Sequence, residues 1–507
     1  MGRAMGRVWS DLGQTKNNEV KMDAFGEFLK LGMKTKPFAH QAETWLRSRA
    51  EDVWALLLEQ GLGKTLIALA TALWMWREKR IDAMIVIGNK GSYMNWLRLE
   101  IPAHWPDDEP VELAYWSSYQ TSEWKRQWER ACKTKDKFVI LAINVEAFSS
   151  QRLLDELPKF MKGRKILMVV DESTVIKHHK SGRSKAIVKL GKSAVAKRIM
   201  TGSPLPESPL NAWGQCEFLR HGILGFTSYT AFKERYAIED IKQYGNRSFV
   251  YVSGYRMLDE LGEKMKAFST RLLKADCLDL PEKIYATRAV ELTREQARAY
   301  KDLREKLVHE FEAGLVTSTP HALTKLVRLH QIALGFLLHD DGTVSHLPNN
   351  RLDALDEVIE ETAGKLIIWT NYREAIKLVG NHLRAKWGGP AAVVEYWGGA
   401  TQEQRVEGLD RFQSGDARFF LGNPAVGGYG ITLTASSNAL YYSNSFKAEE
   451  RRQSEDRTHR IGQRQNCLYT DLISQGTIDE RVLNALRSKQ ELEAKVLGEW
   501  KQLLDVL

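Results

Sequence analysis

Short apolar runs separated by amphipathic stretches occur as two series in this chain, and that pattern narrows the fold more than any other feature. The first series is Val53–Leu58, Ala83–Ile87, Phe138–Ile143 and Ile166–Val170, closed by a short Ile199–Met200. The second is Leu366–Trp369, Ala392–Tyr396, Phe419–Gly422, Ala439–Tyr442 and Leu468–Leu472. Apolar runs without polar alternation suit strands buried on both faces, and amphipathic helices between them supply the crossovers of a parallel sheet. The expectation is an α/β chain with two tandem parallel-sheet lobes. Residues 216–345 read as a mostly helical insert, with one hairpin at Ile241–Val252 turning on Gly245-Asn246. A length of 507 residues agrees with more than one core. The expected divisions are a lead-in over 1–23, a first lobe over 24–215, the insert and linker over 216–345, a second lobe over 346–490 and a C-terminal helix over 491–507. That last stretch continues the amphipathic pattern of Glu480–Leu507.

Composition adds bounds. The formal charge of +9 favours a polyanionic partner, though it is spread over a large surface. Cys132, Cys216, Cys277 and Cys467 show no C-x-x-C spacing, which argues against a zinc site or disulfide framework and for a reducing compartment. No apolar run reaches the length of a membrane span, and the first residues lack the apolar core of a secretory signal. A cytoplasmic location without a membrane partner is the expectation.

The chemistry begins where the first strand ends. Strand Val53–Leu58, loop Glu59–Lys64 and a helix from Thr65 give the order that a phosphate-binding loop requires: backbone N–H groups and the helix N-terminus face phosphates, and the lysine brings a mobile charge. Gly61, Gly63, Lys64 and Thr65 are the candidate contacts; Leu58 stands where the simple G-x-x-x-x-G-K-T pattern has its first glycine. Ile166–Val170 runs into Asp171-Glu172, so two acids sit at the carboxyl end of a buried strand, where open parallel sheets bind ligands. Asp171 with the Thr65 hydroxyl is a candidate Mg²⁺ site, and Glu172 a candidate acceptor for the proton of an attacking water. In the second series, Arg457 and Arg460 fall one helical turn apart and are candidate arginine fingers, a device worth about 10³–10⁵ in rate.

Taken in order, these segments resemble the Swi/Snf family of helicase-like DNA translocases in helicase superfamily two. The resemblance runs from about residue 36 to 490. It rests on Gln41, Gly61–Thr65, Ile85–Trp96 with Glu100, the D-E-S-T-V-I-K box at Asp171–Lys177, and Thr201-Gly202-Ser203-Pro204. It continues through Arg271, Lys274, Leu280-Pro281, Leu326–Ile332 and Gly427–Thr434, and ends at Gln453–Gln463, which differs little from the family's Q-A-E-D-R-x-H-R-I-G-Q. The resemblance implies RecA-like lobes, ATP and Mg²⁺ as cofactors, and DNA as track. It assigns Gln41 to adenine recognition, Gly430 and Gln453 to the nucleotide, Lys64, Glu172, Arg457 and Arg460 to catalysis, and Thr201, Ser203 and Thr174 to coupling. Three positions depart from it. Thr174 replaces the histidine that links hydrolysis to the T-G-S-P element, Glu59-Gln60 replaces a D-E-M lead, and Thr432 replaces an asparagine.

The segment Lys177–Arg198 carries Lys177, Lys180, Arg183, Lys185, Lys189, Lys192, Lys197 and Arg198 with no acid, and reads as a phosphate-neutralising stripe. Its first four cations are the candidate nucleic-acid contacts. The fifteen tryptophans read as core rather than base-stacking residues, Trp54 and Trp369 in strands and Trp74 and Trp76 in a helix. The hairpin fits a strand-separating wedge or plain architecture. The leading expectation is an ATPase moving on double-stranded or branched DNA in repair, recombination or replication, in a bacterial or phage setting. The rivals are a strand-separating helicase on DNA or RNA and a nucleotide-gated DNA-binding scaffold.

Overall fold

The computed structural model describes residues 23–90, 92–244, 247–312, 319–339, 341–427 and 431–497. The chain forms two compact units, the first running to Tyr236 and resuming over Arg256–Cys277, the second taking Ala237–Tyr255 and Leu278–Ala494.

The first unit is built on a seven-stranded sheet. Its strands are β1 (Val53–Leu58), β2 (Ala83–Gly88), β3 (Val111–Tyr115), β4 (Phe138–Asn144), β5 (Ile166–Asp171), β6 (Ala196–Met200) and β9 (Ser269–Leu272), in the order β3-β4-β2-β5-β6-β1-β9. Every pairing is parallel. The inner strands β2, β4 and β5 are buried almost throughout, which is why they lack polar alternation. Helix Lys64–Arg77 is apolar on all sides and almost wholly buried, so the end of the loop that precedes it is fixed by the core. The register sets Asp171 opposite Met200, and Met200 opposite Leu56, so the acidic strand end and the end of β1 lie at one level.

Between β6 and β9, β7 (Ala237–Tyr244) and β8 (Arg247–Tyr255) form an antiparallel hairpin with a bulge between Ile238 and Glu239. It is longer at both ends than the sequence pattern suggests; its expected Gly245-Asn246 turn lies outside the described residues.

The second unit carries a six-stranded sheet with β10 (Lys283–Val290), β13 (Leu366–Trp369), β14 (Val393–Tyr396), β15 (Phe419–Gly422), β16 (Asn438–Tyr441) and β17 (Cys467–Ser474). The order is β10-β17-β16-β13-β15-β14, again all parallel. A small ribbon of β11 (Phe336–Leu338) and β12 (Val344–His346) lies before it. Two apolar layers sandwich this sheet, one gathering Leu355, Ile376, Val379 and Leu440, the other Trp369, Phe412, Phe420 and Tyr469. Helix Ile478–Leu497 follows the last strand.

Two parts of the stretch expected to be an insert belong to the sheets: β9 completes the first and β10 the second. Trp54 and Trp369 are buried in their strands, and Trp45, Trp96 and Trp116 are among the largest fully buried side chains. Among the described residues, no helix is long and apolar enough to cross a membrane.

Candidate functional site

The loop between β1 and helix Lys64–Arg77 needs left-handed backbone at two points, Gly61 (φ 85°) and Gly63 (φ 79°), where a side chain is strained. At Gly63 space is limiting as well, because a Cβ would fall 2.1 Å from Gln41 Nε2. Lys64 Nζ folds back onto its own loop, donating to the carbonyls of Leu58 (2.8 Å) and Glu59 (3.3 Å). Thr65 stands beside it in the first helical turn, half-buried.

Gln41 reaches this loop, though its amide is engaged with protein groups. Oε1 accepts from the Phe38 N–H at 2.9 Å, and Nε2 donates to the Leu62 carbonyl at 3.2 Å, where His40 Nε2 also approaches at 3.1 Å. The side chain therefore ties the helix entry to the glycine loop.

Asp171 ends β5. Trp96 Nε1 donates to its Oδ2 at 3.0 Å, and its Oδ1 accepts from the Glu172 N–H. Burial pushes the Asp171 carboxyl above the usual aspartate range, opposed by the Trp96 indole and the charge of Lys64. Glu172 adopts a left-handed backbone (φ 48°), uncommon for a residue with a side chain and of the kind that clusters at functional sites. Its two carboxylate oxygens are approached from different segments: Gln60 Nε2 lies 3.4 Å from Oε1, and Thr201 Oγ1 lies 3.4 Å from Oε2. Thr201 Oγ1 also accepts from the Ser203 N–H at 3.1 Å, so the T-G-S-P turn reaches the general-base candidate through Thr201, with Ser203 bonded to Thr201 behind it. Thr174 is buried one turn further on, in the single helical turn Ser173–Ile176.

Two cations from after the hairpin complete the surroundings. Arg271 on β9 donates to the carbonyls of Leu57 (3.0 Å) and Gly202 (2.9 Å), bridging the end of β1 to the T-G-S-P turn. The Lys274 N–H donates to Glu59 Oε2 at 2.7 Å, which gives the departing Glu59 a structural partner.

The basic stripe divides. Lys180, Arg183 and Lys185 are exposed, whereas Lys177 has a largely covered side chain and pairs with Glu207 at 3.0 Å. Arg198 is not part of a phosphate-facing stripe. It lies on β6, fully buried, with Nη2 donating to the Ser48 and Glu51 carbonyls and Nη1 to Lys197 and Asp52; burial lowers its pKa to about 9. A strand pointing an arginine inward onto carbonyls looks, in sequence, the same as an exposed basic residue.

In the second unit, helix Ala448–Thr458 carries Gln453 and Arg457. It is pinned by a buried ionic network: Arg451 bonds Glu455 and Asp471, and Glu455 accepts from Lys283 Nζ (3.1 Å) and the Tyr285 hydroxyl (2.9 Å) of β10. Burial alone would raise the Glu455 carboxyl; Lys283 and Arg451 outweigh it and hold it below the usual range. Gln453 Nε2 approaches Glu449 at 3.3 Å. The helix ends at Thr458, so Arg460 lies in the turn beyond it rather than one helical turn from Arg457; His459 follows the helix end and its Nε2 donates to the Pro281 carbonyl, 2.7 Å away. The two arginines still converge, because Nη1 of each donates to the Ile431 carbonyl, at 3.4 Å from Arg457 and 3.2 Å from Arg460. Gly430, the residue before it, lies outside the described residues.

A glycine-lysine loop with an acidic pair on one parallel sheet, and a converging arginine pair on a second, are the parts of a two-lobed nucleoside triphosphatase. Residues 39–334 match the SNF2-related domain and residues 350–462 the helicase conserved C-terminal domain, so the chain belongs to the SNF2-related family. An uncharacterized ATP-dependent helicase of Mycoplasma pneumoniae is 24% identical over 91% of this chain and 42% of its own length. The bovine DNA annealing helicase and endonuclease ZRANB3 is 23% identical over 94% of this chain and 42% of its own. The chain thus spans about two-fifths of the length of these curated relatives. Among solved structures, the Sulfolobus solfataricus SWI2/SNF2 ATPase core in complex with dsDNA aligns at 24% identity, covering 92% of this chain and 94% of that one, with a TM-score of 0.42.

Proposed function

We propose that this chain hydrolyses ATP in response to DNA and uses the energy to translocate on the duplex, remodelling branched DNA or displacing bound proteins. The observation that carries the reading is Glu172: a carboxylate on a strained, left-handed backbone, level with the lysine loop and bonded to the T-G-S-P turn through Thr201. A base so held accepts the proton of the attacking water, and its bond to Thr201 gives the T-G-S-P turn a direct interest in whether that proton has arrived. Lys64 exchanges its two loop carbonyls for phosphate oxygens, and Arg457 and Arg460 supply charge toward the transferred phosphoryl group.

Asp171 and Thr65 would hold Mg²⁺. The fit is electrostatic: burial makes the Asp171 carboxylate costly to ionise, and a cation reverses that cost. The described residues contain no cluster of three or more His, Cys, Asp or Glu that could cage a metal, which suits an ion that takes one carboxylate and fills its shell with phosphate and water. The bound ion would neutralise charge on the phosphates. For the track, exposed Lys180, Arg183 and Lys185 suit phosphate contacts without sequence preference.

Steady-state ATP hydrolysis with no nucleic acid, duplex, forked and single-stranded DNA, and RNA tests the reading. Stimulation by duplex or forked DNA is expected. Glu172→Gln should lower turnover by at least about 10²-fold while a fluorescent nucleotide still binds. Stimulation by single strands or RNA alone would point to strand separation, and no turnover with any of them would overturn the proposal.

A further inference from the structure

The acidic box and the T-G-S-P turn are joined by a second, deeper connection besides the one from Thr201 to Glu172. Helix Ala212–Leu219 packs against the box so closely that a Cβ on Gly214 would lie 2.3 Å from the Ile176 carbonyl oxygen and 2.9 Å from that of Lys177. Both atoms are backbone and have nowhere to go. The next residue, Gln215, is fully buried and uses both ends of its amide. Oε1 accepts from the Ser173 hydroxyl at 2.6 Å, immediately after Glu172. Nε2 donates to the Pro204 carbonyl at 2.6 Å and to the Asn211 carbonyl at 3.0 Å. One planar amide therefore spans from the box to the last residue of the T-G-S-P turn, with no water-accessible slack.

The geometry points to Gln215 as the positioning residue that couples the acidic box to the T-G-S-P turn, acting as a rigid strut between them. It touches neither nucleotide nor reacting atoms. A displacement of Ser173 on hydrolysis is passed to Pro204 through an amide that cannot lengthen, while the Gly214 contact prevents the helix from rotating to absorb it. Both bonds are buried, where an unsatisfied partner is costly, so the strut remains made in each state of the cycle. This inference rests on the ATPase reading above.

The test measures the ratio of turnover with and without duplex DNA at saturating ATP, together with KM for ATP and the melting midpoint. Gln215→Leu keeps the volume and removes all three bonds of the amide; the stimulation ratio should fall about tenfold with KM for ATP changed by less than about twofold. Ser173→Ala should act in the same direction and Ser173→Thr, which restores a hydroxyl, should recover the ratio. Because the single changes break one connection, the Ser173→Ala/Gln215→Leu pair should lose no more than the worse single variant. Wild-type stimulation in Gln215→Leu, or losses that multiply in the pair, would overturn the strut while leaving the ATPase reading intact. Should Gln215→Leu fail to show a cooperative melt, equal stimulation in Ser173→Ala and Ser173→Thr overturns it instead. A wild-type protein without DNA-stimulated turnover would overturn both readings together.

Discussion

Asp171 shows how much of the site is decided by single contacts. Burial works against its charge, and Trp96 works for it from 75 residues away in sequence. Trp96→Phe keeps the ring and deletes the donor, so the carboxyl should become still harder to ionise. Protonation then competes at higher pH, and the acid limb of the kcat/KM profile for ATP should move upward. A pH–rate series on wild type and variant reads this directly, and an unmoved limb would show that Asp171 does not control it. Sequence names Asp171, Glu172 and Lys64 because their types and order are dictated by phosphate chemistry. Trp96 enters only as the end of the resembling stretch Ile85–Trp96, with no role attached to it; the π-helical turn Trp96–Glu100 is what aims its N–H at a carboxylate. Gln215 was hidden for the same reason, since a glutamine inside an apolar helix carries no motif.

At the level of elements, the second lobe leans on one buried aspartate. Asp479, in the first turn of helix Ile478–Leu497, bonds Arg351 of helix Asn350–Glu361 and lies 3.2 Å from His330 of helix Thr319–Ala333; it also accepts from the Ser474 N–H at the end of β17. Burial would raise this carboxyl, but the charge of Arg351 and the bond from His330 outweigh it and hold it well below the usual range. A depressed folded pKa stabilises above the unfolded value and loses that contribution as pH falls through the folded one. Asp479→Asn should therefore cost about 3–5 kcal/mol at neutral pH, by leaving Arg351 buried without its charge partner. It should also flatten the loss of stability seen below about pH 4. Urea melts at neutral and acid pH would check both, and an unchanged acid slope would remove Asp479 as its source.

The elements also show where reading stopped. The inner strands β2, β4 and β5 were legible because burial on both faces leaves them almost uniformly apolar. Three edge strands were not: β3, β9 and β10 have mixed or polar sequences, and on β10 Ile284 and Tyr285 are both exposed. A polar edge strand and a loop look alike until a neighbour supplies the hydrogen bonds.

For the whole molecule, each lobe has its own sheet and its own apolar layers. Calorimetry should then show heat absorption broader than a single two-state transition. Nucleotide, whose loop lies in the first lobe, should move only one component, by about 2.7 kcal/mol at a hundred times its Kd. A single coincident transition shifted as one body would contradict this.

The placement of β9 also bears on how the chain comes off the ribosome. Trp54 on β1 bonds Thr270 on β9 across 216 residues, and β10 finds β17 near the far end of the sequence. The lysine loop is thus synthesised long before the strand that seals its flank, and the second sheet opens with an edge strand whose neighbour is made last. Contacts so distant in sequence close slowly. A nascent chain halted near residue 215 would hold a nearly complete first sheet with β1 as a bare, apolar margin, the kind of surface that chaperones and aggregates both recognise.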